Sequence, residues 1–377
     1  MKYWTLDLVL LMFSCHMTGN ADKPTSDKRK FLAIADSSAI GALGDLQKAR
    51  YSRMAEALER GGFRFALRLI DASVSVSDRP AMRELVAAAY QEEKPCLSFL
   101  SFFDKEAYEA LARAKAPIVG SSADSQELVL SKSRLKRVWE AKHIDSPSYF
   151  CVKRTRTGAI SGRRLIAGAR DFPYIVKPDG ENENRGIHAR SIAFDASALV
   201  ASIEAALEDY DELIIEHFIG SATSREFTVA MIGSGVGALM LPAEIRLKET
   251  RPIRVVTRED RLRSLAEAVP VEEKERLAIG DFASRAFKAA LSRDYARCDI
   301  IEEGGRLFAL EVNGQPRMPD PWFEACAKGG GLDADQYVVA IALASLSRNA
   351  KAGLSRFSPP QEALSLLPRP IVDRLLS

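Results

Sequence analysis

RCDIIEEGGRLFALEVN, residues 297–313, reads as two β-strands joined across a double glycine, with Arg297, Asp299, Glu311 and Asn313 at every-second-residue spacing. On the second strand Phe308, Leu310 and Val312 form an apolar face, so Glu311 and Asn313 point the other way. Whether Asp299 shares their surface depends on the connection. A three-residue loop, Glu303 to Gly305, puts Asp299 and Glu311 on one side, and a two-residue loop separates them. The double glycine favours the longer loop, because glycine accommodates a bulge in the left-handed region. Two carboxylates and an amide oxygen with no His or Cys in the group suit a hard cation, Mg2+ or its substitute Mn2+, shared with substrate phosphates. The alternative is a hairpin with a solvated outer face.

With 377 residues, 47% hydrophobic and 28% charged, the chain is expected to bury a large core and divide into two or three domains. A net charge of +2 and the lack of a long basic run argue against nucleic acid or a membrane surface as partner, and favour small-molecule chemistry. Cys15, Cys96, Cys151, Cys298 and Cys326 are irregularly spaced with no CxxC, which suggests neither a disulfide framework nor a zinc site and fits a reducing compartment. The opening MKYWTLDLVLLMFSCHMTG has features of a secretory signal, but Asp7 interrupts it and Leu8–Phe13 is too short to span a bilayer. Residues 1–30 are therefore expected to be an extension, and the protein to be cytoplasmic.

Beyond the polar stretch Asn20–Lys30, strands and helices alternate. Strands are expected at Phe31–Ala35, Phe63–Ile70, Cys96–Phe102 and Pro117–Val119, and helices at Leu46–Arg60, Pro80–Glu92 and Lys105–Ala114, a βαβ-type unit. Ser131–Lys142 reads as a helix with Leu135, Val138 and Trp139 on its apolar stripe. Lys132 lies off that stripe and on position alone reads as an ordinary solvated lysine. Strands Ser148–Lys153 and Tyr174–Lys177 follow. Lys177 closes an apolar strand before a Gly- and Asn-rich segment, where its charge and the amides between Gly180 and Gly186 suit phosphate. No GxxxxGK[ST] occurs, so a P-loop site is not supported. The block from Glu212 to Ile245 alternates like an antiparallel meander, with Phe227, Val229 and Met231 on one face and Glu216 and Glu226 at the ends of neighbouring strands. These glutamates read either as acceptors for adenine amino and ribose hydroxyl groups or as sheet-rim carboxylates.

Across about Phe31 to Ser347 this ordered pattern resembles the ATP-grasp superfamily, most closely its D-alanine:D-alanine ligase-like enzymes. The resemblance rests on APIVGSSADSQELVLSKSRLKRVWEAKHIDSPSYF, the strand lysine, REFTV, LPAEI, YARCDI and LFALEVN, in the family's order. It implies an α/β (α+β) ATP-grasp fold, two α+β subdomains clamping ATP after a βαβ pre-ATP-grasp domain. The corresponding divisions are 31–122, 123–213 and 214–350, with a tail at 351–377. It also implies that Lys132 and Lys177 contact ATP phosphates, that Asn182 and Phe218 belong to the nucleotide site, and that Glu216 and Glu226 bind adenine and ribose. By the same match Asp299, Glu311 and Asn313 are magnesium ligands, Arg297 stabilises the tetrahedral intermediate, and Arg258 falls in a closing loop within Lys248–Asp260. A homodimer is implied as well.

The sequence departs from that family at the substrate end. Asn182, Glu183 and Asn184 replace Gly-Ser-Ser, and with Arg185-Gly186 this loop looks more like that of cyanophycin synthetases. SSAIGALGD stands in place of the amino-terminal signature, with Asp45 as a stand-in acid. After Asn313 the chain runs Gly314-Gln315-Pro316-Arg317-Met318-Pro319-Asp320-Pro321-Trp322, so Arg317, Glu183 and Asn184 become the substrate-side candidates. The resemblance thus implies an ATP- and Mg-dependent carboxylate-amine ligase working through an acyl phosphate on small carboxylate and amine substrates. The alternatives are a true D-alanine:D-alanine ligase, an ATP-grasp phosphotransferase and a nucleotide-binding regulator.

Overall fold

A computed structural model describes residues 29–377 except 75–77, 157, 181–188, 250, 252, 255, 257–259 and 261–262, without the side chains of 38–43, 163 and 189. Of the expected extension, residues 29 and 30 already belong to the first strand and the rest lies outside the described residues. In chain order the elements are β1 (Arg29–Asp36), α1 (Ser37–Arg60), β2 (Phe63–Ile70), α2 (Arg79–Glu93), β3 (Leu97–Leu100), α3 (Lys105–Arg113), α4 (Ala123–Leu130) and α5 (Lys132–Ala141). There follow β4 (Tyr149–Lys153), α6 (Arg163–Gly168), β5 (Tyr174–Pro178), β6 (Ile192–Ala193), α7 (Ala196–Asp209), β7 (Glu212–His217), β8 (Arg225–Gly233), β9 (Leu239–Leu247) and β10 (Ala266–Pro270). The last are α8 (Glu273–Ala289), β11 (Asp294–Glu303), β12 (Arg306–Asn313), α9 (Pro321–Gly329), α10 (Ala334–Lys351), α11 (Gln361–Leu366) and α12 (Arg369–Leu376).

These elements build three sheets. The first is parallel, in the order β2-β1-β3, and the expected strand Pro117–Val119 contributes only a bridge from Ile118 to Ser98. Its near-continuous apolar β1, buried on both faces, is the pattern that parallel sheets require. The second sheet is antiparallel, β4-β7-β5-β6, and packs its inner face on Leu199, Ile203 and Leu207 of α7. The third, β10-β9-β8-β11-β12, packs one face on α5 and α8, where Trp139, Phe282 and Phe287 meet Phe227, Val229 and Met231. β7 thus belongs to the second sheet, and the change of sheet falls after His217 instead of between 213 and 214. Glu216 and Glu226 are consequently not on neighbouring strands of one meander; they lie on different sheets.

The hairpin differs from the expected one in a way that preserves its result. Glu303 pairs with Arg306, so the turn has two residues, Gly304 and Gly305, both at positive φ (58° and 78°). That is the demand of a tight hairpin turn matched to strand twist. A bulge further along, where Ile300 opposes Ala309 but Asp299 opposes Glu311, leaves Leu310 as the extra residue. The bulge restores Asp299 and Glu311 to one face. It also moves the apolar face of β12 to Leu307, Ala309 and Val312, while Leu310 turns to the opposite side.

The tail, given no role by its sequence, packs onto the core. Ala363, Leu367, Val372 and Leu375 are buried against α10. Its approach uses Gly62 (φ +78°), where a Cβ would lie 2.6 Å from Glu362 Oε2 and 2.8 Å from Pro360.

Candidate active site

A solvent-open cleft separates the second and third sheets. One wall carries Ile175 and Lys177 from β5 and Glu216 and His217 from β7, continuing through Phe218 and Ile219. The other carries Glu226 from β8, Asp299 and Ile301 from β11, and Leu310 and Glu311 from β12. Arg254 and Val256 also line it. Gly220 lets this rim close, since its carbonyl accepts from Arg254 N at 2.9 Å and a Cβ there would lie 2.6 Å from both the Phe218 ring and the Arg254 carbonyl. The inserted Ser221–Ser224 segment is held by Glu303 of the hairpin, whose carboxylate accepts from Ser221 Oγ at 3.2 Å.

Strand register assembles the acidic end. Arg297 pairs with Asn313, and Asp299 with Glu311, across β11–β12. Asp299 Oδ1 accepts from Thr228 Oγ1 at 2.7 Å and lies 3.5 Å from Arg297 Nε. Asn313 Oδ1 accepts from Gln315 N at 3.1 Å. Arg297 is buried, meets Asp320 Oδ1 at 3.3 Å, and lies 5.6 Å from the Trp322 ring centre. Burial pulls its pKa down, but Asp299 and Asp320 more than offset this, so the guanidinium is raised and stays charged. Among the described residues its Nε makes no hydrogen bond, with Asp299 Oδ1 facing it at 3.5 Å.

Lys132 is buried, not solvated, with Nζ 3.8 Å from Glu311 Oε2. The cause is that α5 has two covered sides. Leu135 and Trp139 face α8, and Lys132 and Lys136, one turn apart, are buried with them. Lys136 is the functional candidate that sequence reasoning missed; its i, i+4 spacing from Lys132 was the available signal. Its Nζ is 3.3 Å from Glu216 Oε1, while Lys177 Nζ is 2.7 Å from Glu216 Oε2. Lys136 and Glu216 are each 1% exposed in their side chains.

This trio is strongly coupled. Burial would raise Glu216, yet Lys136 and Lys177 hold it down to about 2. Burial would lower Lys177, and Glu216 reverses that to a net rise; in Lys136 burial wins and the pKa is lowered. A carboxylate depressed from 4.5 to about 2 contributes stability that is complete above pH 4.5 and lost as pH falls toward 2. The lowered Lys136 subtracts from that contribution at neutral pH. Glu216→Gln is therefore expected to lose about 3–5 kcal/mol at pH 7, where two buried cations are left facing an amide. Its stability should also vary less between pH 4.5 and 2, which urea unfolding at several pH values would check; an unchanged profile would mean that Glu216 is not the charged centre of the trio.

Of the remaining candidates, Asn182, Glu183, Asn184 and Arg258 lie outside the described residues. Phe218 lines the cleft. Arg317 is exposed on the segment after Asn313 and is not among the cleft-lining residues. Asp45 is fully exposed beside Lys48, away from any stand-in role. Among the described residues no group of three or more His, Cys, Asp and Glu could hold a metal, and no helix is long and apolar enough to cross a membrane.

Residues 138–342, more than half the chain, match the family profile described as D-ala D-ala ligase C-terminus. The chain belongs to this family. Its relatives include the D-alanine–D-alanine ligase of Chromohalobacter salexigens, 30% identical over 237 residues that cover 62% of this chain and 70% of the relative. That of Pseudomonas fluorescens is 28% identical over 243 residues, covering 63% and 70%. The crystal structure of the Bacillus anthracis D-alanine–D-alanine ligase complexed with ATP superposes with a TM-score of 0.64 at 16% identity, covering 86% of this chain and 100% of that one. The fold is thus the ATP-grasp fold of the D-ala D-ala ligase family, and this member is an ATP-dependent carbon–nitrogen ligase acting on small molecules.

Proposed function

We propose that this chain is an ATP- and magnesium-dependent carboxylate-amine ligase, joining small amino or carboxylic acids through an acyl phosphate and releasing ADP and phosphate. The observation that carries this reading is the cleft in which Lys177, Glu216, Glu226, Asp299 and Glu311 converge from two sheets beside Arg297. The apolar end, Ile175, Phe218 and Ile301, suits an adenine ring, with Glu216 and Glu226 as acceptors for its amino group and the ribose. Lys132 and Lys177 suit the phosphates; by the family resemblance Asn182 is assigned to the nucleotide, Glu183 and Asn184 to the substrate, and Arg258 to catalysis. Asp299, Glu311 and Asn313 offer only oxygen ligands, too few to enclose a cation by themselves but fitting for Mg2+ or Mn2+ that phosphates also ligate. Such an ion would draw charge from the triphosphate.

In the first step a substrate carboxylate oxygen attacks the γ-phosphorus and the bond to ADP breaks. In the second, an amine attacks the acyl carbon, the C–O bond to phosphate breaks and a proton leaves the nitrogen. Arg297 holds the intervening oxyanion. Its permanent charge and planar donor fork suit that role. A homodimer is part of the same reading, and sedimentation of the purified chain would measure it.

The name of the relatives makes D-alanine with itself the second reading. Mass spectrometry of products from Mg-ATP with pooled D- and L-amino acids, di-acids and amines distinguishes the two. A condensed product is expected with the unaltered protein and not with Glu311→Gln. D-alanyl-D-alanine as the dominant product would replace the first reading with the second. A phosphorylated acid or alcohol without condensation would indicate a phosphotransferase, and no ADP with any substrate a binding protein.

A further inference from the structure

Strand β8 turns Phe227, Val229 and Met231 to α5 and α8, so Glu226, Thr228, Ala230 and Ile232 stand on the opposite face, which runs from the cleft into the core shared with the first domain. Thr228 is the polar residue within the buried run of this strand and is fully enclosed. Packing alone would be served by valine, which has the same outline, and a buried hydroxyl costs free energy unless it is bonded. Its partner is Asp299, directly opposite on β11: Thr228 Oγ1 donates to Asp299 Oδ1 at 2.7 Å. The same oxygen faces Arg297 Nε at 3.5 Å. Among the described residues no hydrogen bond reaches Asp299 Oδ2, and Asp299 lines the cleft.

A carboxylate held at one oxygen has the other to offer a ligand, and the groups that hold it set its orientation. We propose that Thr228 is a positioning residue for Asp299: its hydroxyl holds Oδ1 and presents Oδ2 to the cleft, where the magnesium of the reading above would be shared with the nucleotide phosphates. This rests on that metal reading and adds the residue that orients one of its ligands. Without the hydroxyl, Arg297 Nε is the polar neighbour left to Oδ1, so the carboxylate is drawn toward the guanidinium and away from the cleft. The second contact of Thr228 is separate. Its carbonyl accepts from Cys326 Sγ at 3.4 Å, on the helix α9 whose N-cap Asp320 meets Arg297. That contact belongs to the backbone, so removing the hydroxyl leaves the support of Arg297 by α9 in place and isolates the orientation of Asp299.

Thr228→Val keeps the side chain's shape and deletes the donor, whereas Thr228→Ser keeps the donor. Electron paramagnetic resonance of free Mn2+, in titrations of the full chain with ADP, reads the affinity of the ion without turnover. Thr228→Val should bind Mn2+ in the presence of ADP about ten- to a hundredfold more weakly, the usual effect of losing a partner of a ligating group, and Thr228→Ser should recover most of that affinity. Adenosine affinity should stay unchanged in both, because adenosine carries no phosphate for the ion to share. In turnover, the KM for Mg2+ should rise by a similar factor while kcat at saturating Mg2+ falls less. If Thr228→Val does not fold, Thr228→Ser against Thr228→Ala makes the same comparison, since those two differ by the hydroxyl alone.

Unchanged Mn2+ affinity in Thr228→Val, with that of Glu311→Gln weakened, would overturn the inference and leave the metal site standing. Serine as weak as valine would overturn it too, making the methyl group and not the hydroxyl the feature that matters. So would an equal loss of adenosine affinity, which marks general damage to the cleft. Mn2+ uptake by the unaltered protein with ADP no greater than by ADP alone would overturn the metal reading itself, and this inference with it.

Discussion

Glu311→Gln should lower turnover by about a thousandfold or more while the folded state is kept, because it removes one charge from the oxygen cluster without changing its shape. Glu311 faces Asp299 directly across the strand pair, with Lys132 Nζ 3.8 Å away. The proposed magnesium site has two carboxylates, and losing one halves the protein's charge toward the ion. Loss of this charge should show as a raised magnesium requirement as well as a lower kcat. The fold should tolerate the change, since the Glu311 side chain is 25% exposed and its backbone ladder is untouched. ADP release across a magnesium titration, with the melting temperature measured alongside, checks both halves. Near-normal turnover would remove Glu311 from the metal site; lost activity with a collapsed melting temperature would say only that the hairpin had been damaged.

The hairpin illustrates how much of this was legible in the sequence. Period-two spacing exposed Arg297, Asp299, Glu311 and Asn313 as one group, and the structure places them on one face. The reason was different from the expected one, because the two glycines form the turn and Leu310 forms the bulge. Turn and bulge trade one residue against another, and a sequence with two adjacent glycines does not specify which does which. Glu216 and Glu226 were legible as acids on strands, but alternation says nothing about the partner strand, so their separation onto two sheets became visible only with the register. The burial of Lys132 and Lys136 was hidden for another reason, although the family resemblance had already singled out Lys132. A buried lysine and a solvated one occupy the same kind of position on a helix, and only the carboxylates brought up by β12 for Lys132 and by β7 for Lys136 distinguish them.

Lys136→Met should weaken ATP binding by about a hundredfold or more, although Lys136 is assigned no contact with the nucleotide. Without nucleotide, buried Glu216 has two counter-ions, Lys136 at 3.3 Å and Lys177 at 2.7 Å. If Lys177 swings to the phosphates, Lys136 must neutralise Glu216 alone. In the variant that move would strand a buried carboxylate, at a cost of about 3–5 kcal/mol, which is equivalent to a few hundredfold or more in affinity. The free protein should suffer less, because Lys177 still pairs with Glu216 and Met fills most of the lysine stem's volume. Lys177→Ala offers the contrasting case: it leaves the Lys136–Glu216 pair in place and weakens ATP by removing the phosphate contact directly. Adenosine separates the mechanisms, since it carries no phosphate to draw Lys177 away. Titration calorimetry should find that Lys136→Met loses ATP affinity and largely keeps adenosine affinity. Equal loss of both would make Lys136 a wall of the adenine site, and loss of neither would mean that Lys177 never leaves Glu216.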